Sequence, residues 1–557
     1  MSIIEIIRKQ RAVLFLIAAS YFFFMFGNGF LSLTEPDEVF YSQTAREMTQ
    51  HHSIFTPYLF DEPQFEKPIL FYWLLQAAYS LFGDTSFAAR FFPALFAALG
   101  LLAVYWLGTL GFGDRKKAFL SALLLMSSGL YAGLARTVLI DMVFTVLILY
   151  ALLSFFWAYT CPEKKRIGMI LFFVFSALAV LAKGPLGVVI TLGTVVSFLF
   201  IKRNMRFLFS RELLWGFLIF SLIALPWYIL MIHRYGSVFT HEFFINDHIR
   251  RFLEAEHHAN DTLYFYPLSL VYCLYPWGLF VIAGLIAALV NIRKNTGNID
   301  VFLLCWISVV FVIFSPAHSK LVSYIFPLYP ALALIGGNFI GEKISLPQPG
   351  RLFFVLSLVT FFFLLLIPAA IVVVLLKFPF YPSSFVPAYV YLILTLFFSL
   401  LYLYFSVRKR NMIGLGMLAG YLLLVLSALP FISGDLDPYA SSRKACEYLT
   451  RNYSVDGVIL CSKPNVRGVR HFTDKRVAMN GIRTGDFFSP HPIPFLKSEE
   501  QVKDFLRAQP VTYCVVKKSS AEQIKGLAGS EFIVRELNII GNRYVLEVKP
   551  GSVKMDK

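Results

Sequence analysis

Apolar stretches long enough to cross a bilayer recur along most of this chain, and no other feature limits its fold so strongly. A spanning helix needs about 20 mostly apolar residues. Thirteen such stretches are centred near residues 22, 98, 126, 148, 174, 194, 222, 278, 308, 331, 364, 396 and 422. Of the 557 residues 57% are hydrophobic and only 15% charged, against roughly 25% charged in soluble domains. One soluble core cannot hide that much apolar surface. This excludes an ordinary cytosolic enzyme, a disordered chain and a disulfide-stapled secreted domain. The predicted class is an α-helical polytopic membrane protein over residues 1–433, followed by an extracytoplasmic α/β domain over 434–557. Strand-like runs 458–461, 511–516 and 543–548, with amphipathic helices 499–507 and 520–527, mark that domain.

The net charge of +16 would suggest nucleic acid in a soluble protein. Here the distribution points to the lipid bilayer as partner, with no nucleic acid. One set of loops, from Arg8-Lys9-Arg11 to Arg408-Lys409-Arg410, holds 20 Lys and Arg, and the alternate set holds 10. The positive-inside rule then places the N-terminus in the cytoplasm and, after thirteen spans, the C-terminal domain outside. The first apolar stretch, 12–31, lacks a small-residue cleavage site and reads as an uncleaved span. The six Cys show no CxxC pair and no metal-ligand spacing.

The outer loops carry the chemistry. Loops 34–67 and 233–262 are long, and mix acids, His and aromatics. In Glu35-Pro36-Asp37-Glu38, Pro36 suits a first helical turn, after which Asp37, Tyr41 and Ala45 share a face; the rival role for these acids is helix capping. Glu66-Lys67-Pro68 offers an acid for a metal or sugar hydroxyl and a base for phosphate, against a snorkelling Lys. Asp141 lies at the outer end of a span, where an ionisable group is functional by default or a plain N-cap. His248, Arg250 and Arg251 suit a phosphate or diphosphate, or lipid headgroups. Lys320 and Tyr324, read as i, i+4 on a span, suit an anion or an interface belt. Lys183, in Lys183-Gly184-Pro185, faces the same side or only makes a turn. Acids and phosphate-capable bases on one side of one membrane suit a phosphate-bearing substrate close to the lipid, and these groups are expected to meet in one wet chamber.

In order and spacing, Glu35-Pro36-Asp37-Glu38, Phe65-Glu66-Lys67-Pro68, Asp141, Lys183-Gly184-Pro185 and Ser319-Lys320-Leu321 with Tyr324 resemble family 39 glycosyltransferases of the C-type (GT-C) membrane fold. The pattern is most similar to the bacterial lipid A aminoarabinose transferases, relatives of the protein O-mannosyltransferases, and covers residues 1 to about 430. The resemblance implies an inverting transfer from a polyprenyl-phosphate sugar donor, at the periplasmic face of a bacterial inner membrane, to lipid A or another extracytoplasmic acceptor. It implies Asp37 as leading catalytic carboxylate and Asp141 as supporting acid. It implies Glu66 and His248 as ligands of a divalent metal (zinc, magnesium or manganese), and Lys67, Tyr324 and Tyr41 as holders of the carrier phosphate. Phe40 stands where the aminoarabinose pattern carries Arg, and Gln64 where it carries Tyr. A protein O-mannosyltransferase and a secondary transporter are the competing readings. A transporter would bind at the midplane between repeats, and no internal repeat is visible here.

Overall fold

Uniformly apolar sequences give helices buried on every side, and residues 140–160 show this most clearly. The helix Ile140–Thr160 has no polar stripe, and its side chains are buried almost throughout. The helices Lys165–Lys183 and Leu186–Ile201 pack against it. Aromatic edges fill its C-terminal part, where Phe155 lies 6.1 Å from Phe172 and Phe198 and 5.8 Å from Phe207. The computed structural model describes residues 3–254, 260–291, 297–346, 350–377, 382–482, 491–529 and 531–551.

The chain divides into two units, each assembled from separate segments. A helical unit comprises Met1–Asn28, Glu66–Phe71 and Arg90–Leu429; a second, sheet-containing unit comprises Gly29–Phe65, Tyr72–Ala89 and Pro430–Lys557. Among the described residues six helices are long and apolar enough to cross a membrane: Ser86–Phe112, Ile140–Thr160, Pro162–Lys183, Arg211–Leu253, Val322–Ser345 and Tyr389–Val407. A seventh is a bent pair, Arg115–Met126 and Gly129–Ala135, which meet at 66°. Ser127 sits at that break, and its hydroxyl accepts from the Trp277 indole at 2.9 Å. Six shorter apolar helices accompany them.

Close approach within the helical unit depends on small residues. A Cβ on Gly337 would lie 2.2 Å from the Ser121 hydroxyl, so only glycine lets Tyr329–Ser345 reach Arg115–Met126. Helix ends need partners as well. Arg136 donates to the carbonyls of Phe23 and Phe26 at 3.2 and 2.7 Å, where the first helix ends in a π turn.

In the second unit a two-residue hairpin, β1 (Tyr58–Leu59) and β2 (Glu62–Pro63), precedes a six-stranded sheet. Its strands are β3 (Ile459–Ser462), β4 (Val477–Asn480), β5 (Phe495–Leu496), β6 (Thr512–Lys517), β7 (Phe532–Ile540) and β8 (Arg543–Pro550). The order is β5-β4-β3-β6-β8-β7, parallel from β5 to β6 and antiparallel beyond. Short apolar β3 is buried along its whole length, as a central parallel strand should be. Gly541, at φ 62°, makes the β7–β8 turn. Helices Glu499–Arg507 and Lys518–Gly526 follow the predicted amphipathic segments, the first closed by a Ser498/Gln501 capping box. The strands β4, β5 and β7 were not among the predicted runs. Two are only four and two residues long, and β7 carries charges on an outward face.

This unit buries an unusual polar cluster. Arg470 reaches Glu47 at 3.3 Å and Asp61 at 2.7 Å. His471 bonds Gln43 through Nδ1 at 2.9 Å, and its Nε2 lies 3.1 Å from Arg46. Burial first, and Arg46 second, hold the His471 imidazole well below its usual 6.5. The fold therefore keeps His471 neutral, while the unfolded chain takes up a proton as pH falls through 6.5. Stability is fully present above that value and declines below it, by about 1.4 kcal/mol per pH unit until the folded value is reached. The melting temperature of the full chain is expected to fall between pH 7.5 and 5.5, and His471→Gln is expected to flatten that decline. An unchanged slope in the variant would assign the acid sensitivity elsewhere.

Candidate functional site

The three acids of Glu35-Pro36-Asp37-Glu38 have three different environments. Pro36 occupies the N-cap of helix Asp37–Gln50, so its missing N–H removes no helical bond. Glu38 ties down the turn that enters the helix: its Oε2 accepts from the Thr34 backbone N–H and hydroxyl, both at 2.8 Å. Glu35 forms a buried ion pair with Arg543 at 2.7 Å and also accepts from the Ser442 backbone N–H. Asp37 remains exposed at the positive end of the helix. Tyr41 and Ala45 follow it on the same face and are buried. No side chain caps this helix, and of the rival role only the placement of Asp37 and Glu38 in its first turn remains. Phe40 lies beneath the Arg467 guanidinium, 4.6 Å from its ring centre. Gln64 donates to the Tyr72 hydroxyl at 2.7 Å.

In the helical unit, Lys67 and Asp247 form a nearly dry pair at 2.5 Å. Lys67 also donates to the Glu66 carbonyl at 3.0 Å. Arg251 approaches the same Asp247 at 3.1 Å. Two cations 184 residues apart in number thus gather around one carboxylate. Burial pulls the Lys67 ammonium below its usual value, against the pull of Asp247. A snorkelling Lys would keep its head in water, and Lys67 does not. Arg250 points elsewhere, exposed and paired with Glu254 at 2.7 Å. His241–Arg250 is a π-helix, whose i→i+5 bonding changes the facing, and Arg251 faces Asp247 four residues earlier. The His248 side chain lies outside the described residues.

A second dry pair joins Lys183 and Asp141, Nζ to Oδ1 at 2.5 Å. Asp141 sits in the first turn of Ile140–Thr160, whose N-cap is Leu139, so it is not the cap. Lys183 is the last residue of its helix, and Gly184, at φ 91°, makes the turn after it. The ammonium also lies over the Tyr324 ring, 5.4 Å from its centre. Lys183, Asp141 and Tyr324 therefore form one cluster. Lys320 and Tyr324 do not share a helical face. Leu321 is extended, and the helix Val322–Leu328 is of the 3-10 type. Lys320 instead pairs with Asp261 at 3.0 Å, and His318 meets the other Asp261 oxygen at 2.7 Å. These two contacts hold the Asp261 carboxyl below its usual value, His318 contributing first.

Asp247 and Asp261 organise these cations, and neither was singled out from sequence. Their only local signal is an acid within the segments that also carry Arg250-Arg251 and Asn260. Among the described residues no group of three His, Cys, Asp or Glu side chains is gathered for a metal.

Long apolar helices with Lys–Asp pairs at their ends, and an α/β sheet in a separate unit, define a polytopic membrane protein of mostly helical architecture. Residues 11–238 match the family described as dolichyl-phosphate-mannose-protein mannosyltransferase. An uncharacterised protein of Aquifex aeolicus is 32% identical over 334 residues, 59% of this chain and 74% of that protein. An undecaprenyl phosphate-α-4-amino-4-deoxy-L-arabinose arabinosyl transferase of Pseudomonas fluorescens is 31% identical over 331 residues, 58% of this chain and 59% of the relative. The chain thus spans about three fifths of the length of the aminoarabinose-transferase relatives it matches. The crystal structure of ArnT from Cupriavidus metallidurans bound to undecaprenyl phosphate superposes with a TM-score of 0.78, at 18% identity, over 97% of this chain and 98% of that one. The chain belongs to the C-type (GT-C) membrane glycosyltransferase family that includes the protein mannosyltransferases and the aminoarabinose transferases.

Proposed function

We propose that this protein is an inverting glycosyltransferase that moves a sugar from a polyprenyl-phosphate donor to an extracytoplasmic acceptor. The acceptor is a lipid A phosphate, and the sugar is aminoarabinose or a close relative. The observation that carries this reading is the dry Lys67–Asp247–Arg251 cluster. A donor phosphate arriving there meets two cations already freed of bulk water, where electrostatic stabilisation is strongest. The aminoarabinose-transferase relatives support the choice of donor and acceptor.

In the reaction an acceptor phosphate oxygen attacks the anomeric carbon from the face opposite the carrier. The new C–O bond forms as the bond to the carrier phosphate breaks, and the electron pair leaves with the polyprenyl phosphate. Lys67, Arg251, Lys320 and Lys183 offset the charge that grows on the leaving oxygen, with Tyr324 and Tyr41 completing the grip; Arg250, exposed and paired with Glu254, takes no part. Asp37 orients the acceptor, or takes its proton when the acceptor is a hydroxyl, and stabilises the cationic sugar. Asp141 sets the position of Lys183. Glu66 and His248 would hold a divalent ion, which would supply further positive charge at the carrier phosphate. The chain has thirteen spans in a bacterial inner membrane. Residues 1–433 form the membrane domain with a cytoplasmic N-terminus, and 434–557 form the periplasmic one.

The test is transfer by the purified full chain from undecaprenyl-phosphate aminoarabinose, read by mass spectrometry of the acceptor. Lipid A is expected to gain one sugar per modified phosphate, and Lys67→Met is expected to raise the donor KM at least about tenfold. Glycosylation of a Ser/Thr peptide from a mannose donor, with lipid A untouched, would overturn the assignment.

A further inference from the structure

A cavity of about 530 Å³ lies in the helical unit beside the start of Arg115–Met126, and its lining includes none of the Asp141 cluster. Arg11, Arg115, Lys116 and Lys117 line it against a single acid, Asp114. Asp114 is occupied, accepting from the Lys116 backbone N–H at 2.8 Å as N-cap of Arg115–Met126. Lys117 pairs with Glu342 at 3.2 Å. Among the described residues no ion pair is recorded for Arg11, Arg115 or Lys116, so three cations converge on one opening without a matched acid.

Aromatic side chains in and beside the lining, Phe119 within it and Phe15 against Phe119, give the second observation. Phe15 lies one helical turn beyond Arg11, and Phe119 one turn beyond Arg115, each at i+4 on the same face as its cation. The two rings meet at 5.7 Å. Two helix faces, each with an Arg one turn before a Phe, therefore meet. Leu14, Phe15, Met412 and Ile413 are exposed large apolar side chains. Cations beside exposed apolar surface match a molecule with an anionic head and a hydrocarbon tail. A free phosphate would use only the cations.

We propose that this cavity binds an anionic glycerophospholipid of the surrounding bilayer, its phosphate on Arg11, Arg115 and Lys116 and an acyl chain along Phe15 and Phe119. The site is separate from the sugar-transfer machinery and does not rest on the function proposed above. Each basic side chain near an anionic lipid surface contributes on the order of a fewfold in affinity. Loss of three should weaken binding at least about tenfold, more than loss of three scattered charges.

The experiment uses the full chain, delipidated in detergent, with bound lipid counted by native mass spectrometry. Dioleoylphosphatidylglycerol is expected to bind more tightly than dioleoylphosphatidylcholine, which shares the acyl chains. Arg11→Gln/Arg115→Gln/Lys116→Gln is expected to lose at least about tenfold in phosphatidylglycerol affinity. A control losing equal charge elsewhere, Lys164→Gln/Arg166→Gln/Arg206→Gln, is expected to lose less than about twofold. If the triple variant does not purify, Arg115→Gln alone is read for a severalfold loss. Phe15→Ala/Phe119→Ala is expected to weaken the lipid and leave competition by inorganic phosphate unchanged. Equal binding of the two lipids, an equal loss in the control, or no effect of the aromatic pair would each overturn the proposal. The last result would leave a phosphate-only site.

Discussion

Replacing Asp37 by Asn is expected to reduce sugar transfer at least about 10²-fold while the protein still inserts and folds. The two effects separate because Asp37 is exposed at the first position of its helix. Removing its charge there forfeits about 0.3–1 kcal/mol of interaction with the helix dipole, too little to unfold the chain. The local fold is held by the neighbouring acids: Glu38 ties down the turn through Thr34, and Glu35 is tied to Arg543. The measurement is turnover by purified Asp37→Asn alongside its melting temperature. Near-normal turnover with an unchanged melting temperature would remove Asp37 from the reaction.

The second large effect is one of stability. Arg543 is almost fully buried, donating to the Glu35 carboxylate at 2.7 Å, the Ser442 hydroxyl at 2.9 Å and the Pro438 carbonyl at 2.7 Å. Burial pushes the Glu35 carboxyl up from its usual value, and Arg543 is the strongest influence against it. Arg543→Met would leave that carboxylate dry and without its partner, a loss of about 3–5 kcal/mol. Adding Glu35→Gln should recover part of it, because no buried charge is then left behind. The readout is thermal or denaturant unfolding of wild type, both single variants and the double variant. Additive losses would mean that the two side chains do not act as a pair. Glu35 lies two residues before Asp37, so loss of the pair should also depress turnover by displacing the start of that helix. The same contact explains Gly468, since a Cβ there would lie 1.7 Å from a Glu35 carboxylate oxygen.

Much of this organisation is visible in residue order because it repeats over short distances. Apolar runs near 20 residues announce helices in lipid, Pro36 announces a helix start, and the Glu499–Arg507 amphipathic pattern announces its helix. The i, i+4 reading of Lys320 and Tyr324 failed because it assumed a regular α-helix where the chain is extended and then 3-10. That error lies near a helix end, where backbone groups lack regular partners and local geometry follows tertiary contacts.

Residue order by itself determined the solvent of this protein, the segments that carry charge, and the membership of Asp37, Glu66, Lys67, Asp141 and Lys183 in one ordered set of motifs. Only the tertiary structure decided which acid bonds Thr34, which is buried with Arg543 and which stays exposed. It also decided that Lys67 meets Asp247 and Lys183 meets Asp141. The physical reason is one of range. Hydropathy and helix propensity act within a few turns of chain and leave a periodic trace in sequence. The energy of a buried charge depends on the partner that replaces its water, and that partner is brought from a distant segment by packing that leaves no period to read.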